Sequence, residues 1–317
     1  MRAAVVRTFG NPDVLQVEDI PEPQPNAGDT LIDVRHAGVN FADLHQIAGA
    51  YLTKNDLPFV PGIEVVGTDE SGRRVFALLS EGYAERVTCR TNSVVHLPDS
   101  VTDEQVLALG LQGYTAWHIL RSCARKVRGE SVVVHGAAGG VGTIAVQLAK
   151  AWGAARVIAV ASTQDKRDLA LQLGADVAVS SDSEDMTAAL VDANRGRPID
   201  VVLEMVGGRI LDQDLATLGP QGRLVVCGNA SGEQSTPVPL ESLIMSSRSV
   251  VGFWAADYLR SNPRSLAETL TGLFAMVKKG KLTPVIGGRF PLEDVGEALK
   301  AMSGRASTGK LVIDVRS

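Results

Sequence analysis

The chain has 317 residues, 45% hydrophobic and 21% charged, with a net charge of −5 and three cysteines, enough for about two domains with their own cores. That apolar fraction excludes disorder, and cysteines as few and scattered as Cys89, Cys123 and Cys227 exclude a disulfide scaffold. The acidic balance and 4% aromatic content argue against nucleic acid; no apolar run of about 18 residues offers a membrane span; and MRAAVVRTFG lacks a signal-peptide core, so a reducing cytoplasm is expected.

The first hundred residues read as short strands separated by turns. Ala3–Val6, Val14–Ile20, Thr30–Val34, Glu64–Thr68, Arg74–Leu79, Gly82–Thr88 and Val94–Leu97 are the candidate strands. Pro21, Pro23, Pro25 and the turn cluster Asn26-Ala27-Gly28-Asp29 punctuate them, which predicts an all-β, barrel-like unit. At Thr102 the pattern changes. Thr102-Asp103-Glu104-Gln105 has capping-box spacing, and Val106, Leu107 and Leu109 give the helix behind it a buried side. An apolar segment led by Gly113-Tyr114-Thr115-Ala116 then runs to Cys123.

From Ser131 strands and helices alternate. Strands are expected at Ser131–His135, Arg156–Ala161, Val177–Val179, Val201–Met205, Arg223–Cys227 and Gly252–Trp254. Helices are expected at Thr143–Trp152 and Gln164–Leu173. Strands that are apolar throughout, with helices between them, predict a parallel sheet covered on both faces. The first helix shows an apolar stripe at Ile144, Ala145, Leu148, Ala149 and Trp152, with Gln147 and Lys150 opposite. The tail adds helices at Leu266–Lys279 and Leu292–Met302, the segment Val285–Phe290, and a last strand, Lys310–Val315, that can return to the first domain.

Val132-Val133-Val134-His135-Gly136-Ala137-Ala138-Gly139-Gly140-Val141-Gly142 is a strand, a glycine cluster and a helix start. Gly139 and Gly142 take the second and third places of a G-x-G-x-x-G pattern, and Ala137 the first. Such a turn lets backbone N–H groups approach a pyrophosphate at the positive end of a helix. The plain alternative is a tight structural turn. The second strand ends Val160-Ala161-Ser162-Thr163, without the acid that holds the ribose hydroxyls in an NAD site. Small hydroxyls beside Lys166 suit a 2′-phosphate, so NADPH is expected over NADH. Asp165 is the acid that opposes this preference, and Arg167 reads as a solvated helix face.

Further motifs carry a resemblance. They are Gly38-Val39-Asn40-Phe41-Ala42-Asp43, Pro58-Phe59-Val60-Pro61-Gly62-Ile63-Glu64-Val65-Val66-Gly67, Gly113-Tyr114-Thr115, Leu173-Gly174-Ala175-Asp176, Asp200–Gly208 and Thr308-Gly309-Lys310. With the glycine turn, they resemble a zinc-free medium-chain dehydrogenase/reductase of the NADPH:quinone oxidoreductase, zeta-crystallin-like type, over nearly the whole chain. The resemblance implies an α/β protein with a Rossmann-type parallel-sheet domain at 116–254. It implies a GroES-like β-barrel catalytic domain formed by both termini, at 1–115 and 255–317, and a homodimer. Zinc members carry a ligand Cys where this chain has Asn40 and a ligand His where it has Ile63, and the cysteine-rich structural zinc insert is missing between Gly67 and Tyr83. No metal is therefore expected. The five histidines, His36, His45, His96, His118 and His135, read as ordinary polar side chains.

Without a metal to polarise the carbonyl, the substrate must accept hydride readily, as quinones and other conjugated carbonyls do. The resemblance places Asn40 on the floor of the active site as first candidate hydrogen-bond donor and Tyr51 as second, each with an ordinary structural alternative, and leaves Asp43 to support the loop. It carries cofactor binding to Thr115, Ala138, Gly139, Gly140, Val141, Gly142, Ser162, Thr163, Lys166, Val206, Gly228, Phe253 and Lys310. Ile47 stands where the family often has Arg, which predicts a less cationic substrate pocket, and Ser180-Ser181 stand where a Tyr often lies near the adenosine phosphate. The Phe253-Trp254 pair also occurs in enoyl-thioester reductases, so an enoyl or alkenal reductase reducing an activated C=C bond is the nearest alternative. Two others are a nucleotide-binding protein without efficient catalysis, crystallin-like or RNA-binding, and a reductase unit inside a larger biosynthetic system. The missing basic cluster counts against RNA.

Overall fold

The structure is a computed structural model describing residues 1–317. The chain divides into two compact units, Met1–Leu111 with Val285–Ser317, and Gln112–Pro284.

The first unit opens with β1 (Arg2–Val6), antiparallel to β2 (Leu15–Asp19). Next comes β3 (Asp29–Gly38), longer than the expected Thr30–Val34 because it pairs with different strands along its length. A short helix, α1 (Phe41–Ile47), follows. The strands β4 (Glu64–Asp69), β5 (Arg74–Leu78), β6 (Arg86–Arg90) and β7 (Val94–His96) complete this segment. β3 pairs with β4 along Ile32–Ala37 and with β6 along Asp29–Asp33. Then α2 (Asp103–Leu109) begins on the predicted capping box: Thr102 Oγ1 accepts from Gln105 N at 3.2 Å, and Gln105 Oε1 accepts from Thr102 N at 3.0 Å.

The helix α3 (Leu111–His118), which enters the second unit at Gln112, is extended by a π-helical turn at Ile119–Cys123. The unit continues with β8 (Ser131–Val134), α4 (Gly140–Ala151), β9 (Arg156–Ala161), α5 (Gln164–Gln172), β10 (Val177–Ser180) and α6 (Met186–Ala193). β11 (Ile199–Glu204), α7 (Arg209–Thr217), β12 (Leu218–Val226), α8 (Leu240–Ile244) and β13 (Ser249–Gly252) follow, then α9 (Ala255–Ser261) and α10 (Ser265–Lys278). The six strands are all parallel in the order β10-β9-β8-β11-β12-β13, the doubly wound Rossmann order that reverses between β8 and β11. β8 is buried along its whole length and β9 nearly so, as a sheet covered on both faces requires.

The chain then returns to the first unit through β14 (Ile286–Pro291), α11 (Val295–Ser303) and β15 (Lys310–Asp314). β15 pairs antiparallel with β3, Val312 opposite Gly38, and so closes a core that runs from Ala3 to Val315.

Two expectations need correction. The crossover comes at Pro284/Val285, later than the expected 254/255, because α10 packs within the second unit. Its Leu266, Leu270 and Leu273 are buried, Ser265 bonds Tyr114 at 2.6 Å, and Thr269 bonds His118 at 3.0 Å. Gln147 is not on the polar side of α4. It is buried, donates to Thr283 O at 3.0 Å and accepts from Thr283 N at 2.7 Å, which fixes the stretch before the crossover. Lys150 is exposed as expected and pairs with Asp176 at 2.5 Å.

Candidate active site

The second unit gathers most of the residues assigned to a nucleotide at the carboxyl ends of adjacent parallel strands. Ala138–Gly142 follow β8, Ser162 and Thr163 follow β9, Val206 follows β11, Gly228 follows β12 and Phe253 follows β13. This is where open α/β sheets hold ligands. The turn itself is tight. Gly136 has φ +56°, Gly139 N donates to Gly136 O at 2.8 Å, and a Cβ on Gly142 would lie 2.1 Å from Gly136 O. A side chain at 142 would therefore push α4 off the turn. Gly139 caps α4 without a side-chain hydrogen bond, so the first N–H groups of this twelve-residue helix face the turn. These features fit a pyrophosphate.

At the end of β9, Thr163 Oγ1 caps α5 by accepting from Lys166 N at 3.3 Å. Arg167 departs from its expected place on a solvated face. Its guanidinium folds back over the strand end and donates to Ser162 O at 2.7 Å, Ala161 O at 3.3 Å and Gln164 Oε1 at 3.0 Å. A cation thus stands where the strand offers no acid, while Asp165 is exposed on the helix. On α3, Thr115 is nearly buried, and the neighbouring His118 ring stacks on Phe253 at 6.3 Å. Burial pushes His118 down to about 4, so it is neutral.

Two buried acids, Asp214 and Glu204, were not singled out by the sequence, and His135, read there as an ordinary polar side chain, is buried with them. His135 Nε2 meets Asp214 Oδ1 at 2.9 Å, both side chains essentially inaccessible. Burial works against the charged imidazole, but the contact with Asp214 wins and His135 is raised above its ordinary value. Glu204 Oε1 accepts from Val206 N at 2.5 Å and Gly207 N at 2.9 Å, while its Oε2 has no hydrogen-bond partner. Burial raises Glu204 despite these two N–H groups. Its carboxylate thus shapes the loop that carries Val206.

In the first unit a second buried cluster surrounds Asn40, the residue before α1. Asn40 N donates to Asp43 Oδ2 at 2.8 Å, and Tyr83 OH donates to the same oxygen at 2.6 Å. Asp43 supports the loop, as the sequence suggested. Its Oδ1 has no partner, and burial pushes the carboxyl up to about 7 and raises Tyr83 as well. The Asn40 amide donates from Nδ2 to Gly38 O at 3.0 Å and accepts at Oδ1 from Lys310 Nζ at 3.1 Å. Lys310 also donates to Val39 O at 3.0 Å and forms an ion pair with Glu64 Oε1. Glu64 Oε2 in turn accepts from Leu111 N at 3.0 Å.

Lys310 therefore needs correction as a cofactor ligand. Its side chain is 1% exposed, and protein acceptors take its ammonium protons. Its position next to Thr308-Gly309 gave no hint of this, but an acid opening the valine-rich strand Glu64–Thr68 was a signal, since a buried charge requires a partner. Ile47 needs correction too. It is fully buried in the core of the first unit and does not line a pocket. The adjoining loop forms a cavity of about 370 Å³ lined by Tyr51 with Phe9, Gln46, Gly49, Thr53 and Leu57. Lys54 and Asp56 also line it, so it carries one side chain of each charge. No group of three His, Cys, Asp or Glu side chains is placed to hold a metal ion. No helix is long and apolar enough to cross a membrane.

Comparison with known proteins agrees with this architecture. The alcohol dehydrogenase GroES-like domain family matches residues 26–99, and the zinc-binding dehydrogenase family matches residues 140–272, the two parts of a medium-chain dehydrogenase/reductase. The quinone oxidoreductase of Mus musculus is 33% identical over 99% of this chain and 97% of its own length, and that of Homo sapiens is 32% identical over the same shares. The quinone oxidoreductase of Thermus thermophilus, solved alone and with NADPH, is 36% identical with a TM-score of 0.87, covering 99% of this chain and all of the other. The Escherichia coli quinone oxidoreductase complexed with NADPH has a TM-score of 0.93 at 27% identity over the same shares. The chain belongs to the quinone oxidoreductase family of medium-chain dehydrogenases/reductases.

Proposed function

We propose that this protein reduces quinones or related conjugated carbonyl compounds with NADPH and without zinc. The observation that carries the cofactor assignment is the turn between β8 and α4, where Gly142 lies too close to Gly136 O for any side chain. The NADPH complexes of two family members support it. When bound, NADPH supplies a hydride from C4 of its nicotinamide. Residues 138–142 hold the pyrophosphate with backbone N–H groups. Ser162, Thr163 and Lys166, with Arg167 across the end of β9, receive the 2′-phosphate. Thr115, Val206, Gly228 and Phe253 bound the rest of the dinucleotide site.

The acceptor gains a hydride and a proton, so a quinone leaves as a hydroquinone. Asn40 donates a hydrogen bond to the oxygen on which negative charge develops, an effect worth about 10²–10³ in rate for one well-placed donor. Tyr51 orients the acceptor from its loop cavity. Zinc independence is supported by the side chains themselves. Ile63 has no donor atom, and Asn40 Oδ1 is engaged by an ammonium that would repel a metal cation. The three cysteines are unpaired, in keeping with a reducing cytoplasm. A homodimer is supported by β13, an edge strand, and by Leu240, Ile244 and Met245 nearby in sequence, all at least 70% exposed.

The test follows loss of reduced nicotinamide absorbance with NADPH or NADH against quinones, enones and enoyl thioesters, with product analysis. Hydroquinone formation with NADPH preferred in kcat/KM is expected. A saturated ketone or thioester as the only product would assign an enoyl or alkenal reductase, and equal use of NADH would refute the 2′-phosphate site. Asn40→Ala and Tyr51→Phe should each lower kcat/KM. If both stay within about twofold, far short of one lost oxyanion donor, neither residue has the assigned role. Metal analysis of active enzyme finding stoichiometric zinc would overturn the zinc-free chemistry.

A further inference from the structure

We propose that Lys310 is a positioning residue for the reduction, acting through Asn40: its ammonium fixes the amide oxygen-inward and strengthens the amide NH2 as a donor. This rests on the assignment of Asn40 as the donor to the substrate oxygen.

The orientation follows from hydrogen-bond chemistry. An ammonium only donates, so the Asn40 atom 3.1 Å from Lys310 Nζ has to be Oδ1. The NH2 group then lies on the other side, where it reaches Gly38 O at 3.0 Å. Turning the amide over would set N–H against N–H in a buried site, where an unmatched polar contact is most costly. Donation into Oδ1 also draws electron density from the amide nitrogen, which makes its N–H groups stronger donors.

The ammonium is itself held in place. Val39 O and Glu64 Oε1 take its other bonds, and Leu111 N holds the far oxygen of Glu64. The backbone leaves room for this pair at two glycines. A Cβ on Gly38 would lie 2.5 Å from Glu64 Oε1 and 2.7 Å from Lys310 Nζ, and a Cβ on Gly110 would lie 2.5 Å from Glu64 Oε2. A buried ion pair is seldom better for stability than apolar side chains of similar volume. Its presence here is explained by what it does to Asn40.

The experiment is a double-mutant cycle with kcat for a quinone and NADPH affinity measured separately. Lys310→Met should lower kcat about tenfold or more, as loss of an oriented donor does, while NADPH affinity stays within about twofold because the nucleotide residues belong to the other unit. Lys310→Met together with Glu64→Gln removes both charges, while Gln keeps an acceptor for Leu111 N. It gives the same reading if Lys310→Met alone does not fold. Combining either change with Asn40→Ala should slow the enzyme no further than Asn40→Ala alone. Factors that multiply instead show that Lys310 acts independently and overturn the proposal, as does a wild-type kcat for the charge-free pair. A wild-type kcat for Asn40→Ala is a different failure: it removes the assigned role of Asn40, and the proposal with it.

Discussion

The Lys310–Glu64 pair of the first unit and the His135–Asp214 pair of the second bury charge in opposite ways. In the first, Lys310 and Glu64 use their polar atoms on one another, on backbone groups and on Asn40. In the second, His135 and Asp214 form a pair of one contact, and Asp214 Oδ2 and Glu204 Oε2 are left without hydrogen-bond partners. The first cluster ends on a side chain, Asn40, and the second ends on backbone, the N–H groups of Val206 and Gly207. The Asn40 side chain, with rotatable bonds, is fixed here by a charged neighbour. A backbone loop is fixed already by φ and ψ, and one carboxylate oxygen suffices.

That contrast can be broken by measurement. The largest effect on stability is expected from Lys310→Met. It strands Glu64 in the core and should cost about 3–5 kcal/mol in urea unfolding; a loss under about 1 kcal/mol would place the pair among exposed, weakly coupled ones. Next is Asp43. Its folded pKa is raised from 3.8 to about 7, so between those values the folded state holds the proton and the unfolded state does not. Stability from this group therefore falls as pH rises through that window, by up to about 4 kcal/mol at about 1.36 kcal/mol per unit. Asp43→Asn keeps an acceptor for Asn40 N and Tyr83 OH and should flatten the slope; an unchanged pH profile would assign it to other groups. Asp214→Ala should cost about 2–3 kcal/mol, less than the Lys310 change because half of this carboxylate is unpartnered. Equal losses for the two would erase the distinction between the clusters. The smallest effect belongs to Glu204→Gln. The amide oxygen still accepts from Val206 and Gly207, so stability within about 1 kcal/mol of wild type is expected, with NADPH affinity nearly unchanged. A large loss of NADPH affinity would show that the negative charge itself shapes the loop.

Local patterns carried the Rossmann unit well. The strand at Arg156–Ala161 stands as read, the cap at Thr102 forms with both expected bonds, and the glycine turn joins β8 to α4. These features depend on neighbours a few residues away. Helices α6 and α7 escaped notice: Asp185 begins the first at the end of the polar run Ser180–Asp185, and Gly208 begins the second straight after a glycine turn. What required distant partners was misread. Helix α10 looks alike whichever sheet it covers, and it is Tyr114, Trp117 and His118 that reveal its side. Lys310 and Glu64 lie 246 residues apart, and no spacing rule connects them. Arg167 has the sequence of a solvated face, yet its length lets it reach back to the strand it follows.

The pairing of β15 with β3 has a consequence for how the protein is made. Synthesis runs from residue 1 onward, so β3, Asn40 and Glu64 emerge early, while Lys310 emerges only after the whole second unit. Until then Glu64 has no cation, and the first unit lacks both the strand beside β3 and the helix α11 whose Val295, Ala298 and Leu299 complete its core. The second unit, continuous from Gln112 to Pro284, can fold before β15 emerges. The first unit is closed only when β15 reaches β3, and Lys310, which opens β15, arrives with that strand.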